Sequence, residues 1–71
     1  MAKDICDRFG KRVRTLREER GWTQIYLAEH TGLSRTFISD LELGRKEPCL
    51  RSLDILAQGF DLPIVELLKG V

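Results

Sequence analysis

The chain has little of what metal proteins, enzymes and membrane proteins are built from. It carries one histidine and two cysteines, Cys6 and Cys49, which stand far apart. No CxxC pair occurs, so a four-ligand zinc set is excluded. His30 has no cysteine, serine or acid at nucleophile-and-base spacing and reads as a surface residue. No G-x-x-x-x-G-K-[ST] run is present to cradle phosphates. No apolar run approaches the ~20 residues of a membrane span. The first ten residues, MAKDICDRFG, place acids where a secretory signal needs an apolar stretch. These absences argue against an enzyme, a metal or cofactor, a small-molecule effector and a membrane. They suit a cytoplasmic chain whose two thiols stay reduced; a Cys6–Cys49 disulfide would need helices 1 and 4 to touch. Repeats, low-complexity stretches and sustained strand alternation are also missing, so the expected class is all-α.

What is present fits one small globular unit. A chain of 71 residues supports a single domain, 1–71, with one core. It is 42% hydrophobic and 32% charged, with a net charge of only +1. The distribution of charge says more than the total. Lys11, Arg12, Arg14, Arg17 and Arg20 crowd the first helical stretch, and Arg35, Arg45, Lys46 and Arg51 form a second basic group. From Ser52 onward Asp54, Asp61 and Glu66 outnumber Lys69. That asymmetry suits one face turned to phosphates. It equally suits helices that are simply solvated, and charge alone leaves both readings open.

Five helices are expected. Helix 1 runs from Asp4 to Arg20, with Ile5, Phe9, Val13 and Leu16 inward and Gly21 as its stop. Helix 2 is Gln24 to Thr31 and helix 3 is Ser34 to Leu43, stopped by Gly44. A basic loop fixed by Pro48 leads to helix 4, Leu50 to Gln58, with Leu53, Leu56 and Ala57 inward and Gly59 as its stop. Helix 5 starts near Pro63, a favourable first-turn position, and carries Ile64, Leu67 and Leu68.

The most informative stretch is Gln24 to Leu43, QIYLAEHTGLSRTFISDLEL. Small Ala28 is followed four positions on by Gly32, then by Ile38 and Leu41. This is the spacing of a helix-turn-helix, which inserts its second helix into the DNA major groove. Thr23 and Ser34 are good N-caps. Ala28 sits where a larger side chain would push the two helices apart, and Gly32 can take the positive φ of a sharp turn. Leu33 plugs the turn into the core. Ile38 and Leu41 share one face, leaving Arg35, Thr36, Ser39 and Asp40 pointing outward. A polar outer face on an apolar backing is what base-edge readout requires.

With these residues read, the chain resembles the Cro/C1-type (XRE) helix-turn-helix regulators of bacteria and phages. The resemblance rests on LREERGWTQ (16–24), LAEHTGLSRTFISDLELGRKEP (27–48) and FDLPIVELL (60–68), and covers nearly the whole chain. The stretch SRTFISDLE is similar to small stand-alone regulators, including restriction–modification controllers and prophage repressors. The resemblance implies a compact, lambda-repressor-like fold of four to five helices and a homodimer on a palindromic double-stranded operator. It implies base reading by Arg35 and Thr36, with Ser39 and Asp40 secondary. Arg35 would bond guanine O6 and N7, and Asp40 would accept from cytosine N4 or repel wrong registers. Thr23, Gln24, Ser34, Phe37, Arg45 and Lys46 fall at DNA backbone or edge positions, Gln24 also steadying helix 3. Arg17 and Glu42 match an ion pair joining helix 1 to helix 3, a structural role.

The chain departs from the family pattern in places. Cys49 replaces a serine or threonine cap, so helix 4 starts less firmly. Ile25 and Tyr26 replace polar residues; packing against helix 1 is the expectation, an exposed partner patch the alternative. Trp22 reads as a partly buried lid. The apolar run Ile64, Val65, Leu67, Leu68 and Val71 exceeds what one short helix needs. Val65, Leu68 and Val71 are therefore candidate dimer contacts, against the reading that all of them close the monomer core. Three functional readings stay open: a homodimeric transcriptional regulator, a DNA-binding antitoxin that also holds a toxin or antagonist protein, and a protein-interaction module that has lost DNA.

Overall fold

The computed structural model describes residues 4–71, so residues 1–3 of the MAKDICDRFG segment lie outside the described residues. The elements are α1 (Ile5–Glu19), α2 (Gln24–Thr31), α3 (Arg35–Glu42), α4 (Leu50–Gly59) and α5 (Ile64–Leu67). No strand occurs among the described residues. α3 packs across α1 and against α2, α4 packs against α2, and α5 against α4.

The caps explain the boundaries. Asp4, Thr23 and Ser34 accept the backbone N–H of Cys6, Tyr26 and Phe37 at 2.9, 3.0 and 3.0 Å. α1, α3 and α4 end in one way. The N–H just past the cap bonds three residues back, and the next N–H bonds five back: Trp22 to Arg17, Arg45 to Asp40, Leu62 to Ala57. The left-handed position in that motif is Gly21 after α1 and Gly44 after α3. After α4 it is Asp61, with φ of 59°.

That arrangement corrects the reading of Gly59 as a stop. Gly59 is the last helical residue of α4 and has no positive φ. A Cβ there would stand 2.6 Å from Thr31 Cγ2, so Gly59 serves close approach between the ends of α2 and α4. Pro63 likewise lies one step outside α5, as its N-cap. Cys49 caps α4 without any side-chain bond to the backbone, as its replacement of a hydroxyl suggests. Both Cys6 and Cys49 are free thiols.

Phe9, Val13 and Leu16 of α1, Leu27 and Ala28 of α2, Ile38 and Leu41 of α3, Leu56 and Ala57 of α4, Phe60 and Leu67 form the core. Leu33 packs onto it from the turn. Ile5 does not join it. One turn before Phe9, it overshoots the core and is 56% exposed at the rim of an open groove with Pro48, Leu53, Leu68 and Val71.

Ile25 and Tyr26 also depart from expectation. α2 buries the stripe of Leu27 and Ala28, with Gln24 and Thr31 partly covered. That i, i+3, i+4, i+7 set leaves residues 25 and 26 on the other side. Ile25 is 55% and Tyr26 45% exposed, and neither is in the core. Tyr26 leans on Trp22 (ring centroids 4.9 Å) and stacks on His30 (5.6 Å). Trp22 is the half-buried lid expected of it, stacked on Phe60 at 5.8 Å.

Candidate nucleic-acid interface

The outer face of α3 is set on a rigid base. Ile38 and Leu41 are completely buried, so the opposite side of an eight-residue helix must face out. Thr36 is exposed there, with Ser39 and Asp40 half-buried beside it, and Arg35 is exposed as the first residue of the helix. Gly32, at φ 77°, makes the turn that brings the start of α3 to the surface next to α2. Thr31 Oγ1 bonds back to Leu27 O at 2.7 Å and accepts from Leu33 N at 3.3 Å, which ties the turn to α2. Phe37 is half-buried and packs on the core. Arg45 and Lys46 are exposed on the loop that follows α3.

A polar clamp fixes the other end of α3. Arg17 Nε and Nη2 donate to the two carboxylate oxygens of Glu42 at 2.7 and 3.0 Å. Arg17 Nη1 donates to the Trp22 carbonyl at 2.8 Å, and Gln24 Nε2 donates to Glu42 Oε1 at 3.1 Å. The side chains of Arg17 and Glu42 are 12% and 4% exposed. The carboxylate raises the Arg17 pKa above its ordinary value, chiefly through the hydrogen bonds, against the opposing effect of burial. Glu42 thereby joins α1, α3 and the first residue of α2. Exposed Thr23 and partly covered Gln24 stand at that start of α2, and exposed Ser34 caps α3.

Gly10 completes the mounting, and sequence reasoning passed over it. Its added Cβ would collide with the backbone oxygens of Leu41 and Glu42. A glycine inside an otherwise apolar helical pattern was the available signal for such close approach.

The basic surface expected along α1 is largely committed elsewhere. Arg8 donates to Val71 O at 2.6 Å, and Arg12 to Glu66 O at 2.7 Å and Leu67 O at 3.3 Å. Arg20 donates to Leu16 O and Phe60 O, with its guanidinium 5.0 Å from the Phe60 ring. Arg14 pairs with Glu18 on the surface. For Arg12 and Arg20 the physical reason is that carbonyls at helix C-termini lack intrahelical partners, and arginine stems on α1 reach them.

Of the candidate dimer residues, Val65 is exposed, whereas Leu68 and Val71 pack partly against the core. Among the described residues no group of three His, Cys, Asp or Glu side chains is placed to hold a metal. No helix among them is long and apolar enough to cross a membrane.

A helix-turn-helix family model, HTH_3, matches residues 13–67. The chain belongs to the HTH_3 family. These Cro/C1-type proteins are DNA-binding transcriptional regulators and not enzymes, and this chain is accordingly a DNA-binding helix-turn-helix. It is 36% identical over 55 residues to the immunity repressor protein of Bacillus phage phi105, covering 78% of this chain and 38% of that protein. The chain thus spans less than half the length of curated HTH_3 relatives such as this one. Among solved structures it is similar to the restriction-modification controller protein C.AhdI from Aeromonas hydrophila. The identity is 34% and the TM-score 0.84, over 87% of this chain and 94% of that one. It is also similar to the controller protein C.Esp1396I, solved as a tetramer in complex with its natural 35 base-pair operator. There the identity is 25% and the TM-score 0.85, over 96% of this chain and 90% of that one.

Proposed function

We propose that residues 1–71 act as one HTH_3 unit that reads an inverted-repeat operator as a homodimer in the cytoplasm, as a repressor or autoregulator. The observation that carries this reading is the mounting of α3. Its first turn presents exposed Arg35 and Thr36, while Ile38 and Leu41 anchor the helix fully buried. Its far end is held by Glu42. A helix fixed at both ends presents side chains at defined positions, which discrimination between base edges requires.

In this reading Arg35 and Thr36 contact bases and Ser39 and Asp40 tune the choice. Thr23, Gln24, Ser34, Phe37, Arg45 and Lys46 meet backbone or groove edge and set the register without reading sequence. One α3 spans too few base pairs to single out an operator; two copies about a symmetry axis place half-sites ~34 Å apart. The operator-bound oligomer of C.Esp1396I supports such an assembly by likeness.

Selection of binding sites from a random DNA pool, with Arg35→Ala alongside, tests the proposal. Enrichment of an inverted repeat that Arg35→Ala alters is the expected result. No enrichment by the folded protein sinks it.

A second reading adds a protein partner, a toxin or an antagonist, to DNA binding. The exposed Ile25–Tyr26 pair favours it, since large apolar side chains side by side on one surface are common at contacts. Substituting both by serine would then abolish partner capture and leave operator affinity intact.

A further inference from the structure

Cations gather on the side of α1 turned away from α3. Arg8, Lys11, Arg12 and Thr15 of α1, with Lys69 and Gly70 past α5, line an open depression of ≈ 290 Å³. The α1 positions are i, i+3, i+4 and i+7, which share one side of a helix. Gly10 and Arg17, which meet α3, lie on the opposite side. No acidic side chain lines the depression. Lys11 and Lys69 are exposed, and neither enters an ion pair among the described residues. No sequence motif announces the site, because its cations come from opposite ends of the chain.

Its two guanidiniums are held in place and remain charged. Arg12 donates from Nε to Leu67 O at 3.3 Å and from Nη2 to Glu66 O at 2.7 Å, and Arg8 donates from Nε to Val71 O at 2.6 Å. Neutral carbonyls fix these groups without cancelling their charge. Nη1 of Arg12 makes no hydrogen bond among the described residues, so a positioned donor remains for a further acceptor. Lys11 and Lys69 bring ammonium donors from two elements, and Thr15 brings a hydroxyl.

The charge selects the ligand. A depression lined by one sign of charge concentrates ions of the other. A terminal phosphate carries roughly −1.5 to −2 at neutral pH and offers several strong acceptor oxygens, and a diphosphate carries more. A DNA phosphate carries a single charge, and a strand spreads its charges along a line. Cations gathered round one small depression match the terminal group.

We propose that this depression binds a small molecule through a terminal phosphate or diphosphate group, with Lys11, Arg12, Lys69 and Thr15 donating to its oxygens. The site is separate from the outer face of α3, so the proposal stands independently of operator reading.

Inorganic pyrophosphate titrated into the full chain at constant ionic strength, followed by amide chemical shifts in solution, tests it. Saturable shifts confined to residues 8–15 and 66–71 are expected. Lys11→Glu and Lys69→Glu should each weaken binding about tenfold or more, as loss of a charge-assisted hydrogen bond does. Both positions are exposed, so the variants should fold, which thermal unfolding without ligand checks. Arg14→Gln removes an α1 cation that does not line the depression and should leave the affinity as it is. A short DNA duplex of random sequence, titrated in parallel, supplies the other source of phosphate and should leave the amides of Lys11, Thr15, Lys69 and Gly70 in place.

No saturable shift, shifts centred on residues 23–36 instead, or equal weakening by Arg14→Gln overturns the proposal. A duplex that moves the Lys11, Thr15, Lys69 and Gly70 amides at lower concentration than pyrophosphate also overturns it, in favour of a second DNA contact.

Discussion

Arg17 and Glu42, 25 positions apart in sequence, meet side by side through two hydrogen bonds of 2.7 and 3.0 Å beneath the surface. Gln24 and the Trp22 carbonyl complete the set, so no polar atom of the pair is left wanting. The pair sits at the last turn of α3 and decides how that helix leaves the core.

Breaking it from one side should be costly. Arg17→Met leaves a carboxylate that is 4% exposed without its cation. The expected loss is ~3–5 kcal/mol in urea unfolding. The double variant Arg17→Met, Glu42→Leu should lose clearly less, because no unpaired charge remains. Equal losses in single and double variants would mean that the pair contributes by packing. The raised Arg17 pKa makes its contribution complete below the ordinary arginine value, to be lost only at more alkaline pH. Urea stability should therefore show no step from this pair between neutral and moderately alkaline pH.

Gly10→Ala should reverse the usual effect of that change. In an open helix the substitution stabilises by ~0.5–1 kcal/mol. Here the new methyl meets the backbone of Leu41 and Glu42, which cannot swing aside. Destabilisation by ~1–3 kcal/mol is expected from overpacking, with a weaker fit of α3 against α1. A more stable variant would show that α3 can shift without penalty.

The α1 arginines should behave as structural groups. Arg12→Ala removes donors to the carbonyls of Glu66 and Leu67. It should lower stability by about 1 kcal/mol. It should leave the dependence of operator affinity on salt unchanged, whereas a phosphate contact would reduce that slope by about one. A reduced slope would return α1 to the DNA interface.

The two thiols should react at different rates. The Ser52 hydroxyl, then the backbone N–H groups of Ser52 and Arg51, push the Cys49 thiol below its ordinary pKa. Partial burial and the carboxylates of Asp4, Glu47 and Asp7 push Cys6 up. Iodoacetamide at neutral pH should therefore alkylate Cys49 well before Cys6, read by peptide mass mapping. Ser52→Ala should narrow the gap. Equal rates would contradict this assignment.

What could be seen in the sequence follows from range. α2 was bounded correctly because Thr23 and Gly32, its cap and its turn, act on the backbone next to them. Ile38 and Leu41 were legible because helical period decides burial. The Arg17–Glu42 pair was legible only through the family resemblance, since nothing local connects residues on different helices. Ile25 and Tyr26 read as packed from their apolar character alone, whereas their place relative to Leu27 and Ala28 sets them on the other side of α2. Gly59 misled because a glycine near a helix end has two uses, and the contact with Thr31 that selects between them is tertiary. The arginines of α1 looked like a charged surface because their acceptors are backbone carbonyls, which no residue type announces.

In the proposed function α3 reads bases while the basic loop holds the backbone. The most direct test is equilibrium affinity of the parent, Arg35→Ala and Lys46→Ala on the selected operator and its single-base variants, at several salt concentrations. Arg35→Ala should lose ~1–3 kcal/mol and its discrimination at one base position, while Lys46→Ala should weaken all sequences alike and lower the salt slope by about one. An Arg35→Ala protein that discriminates every position as the parent does would contradict the assignment of α3.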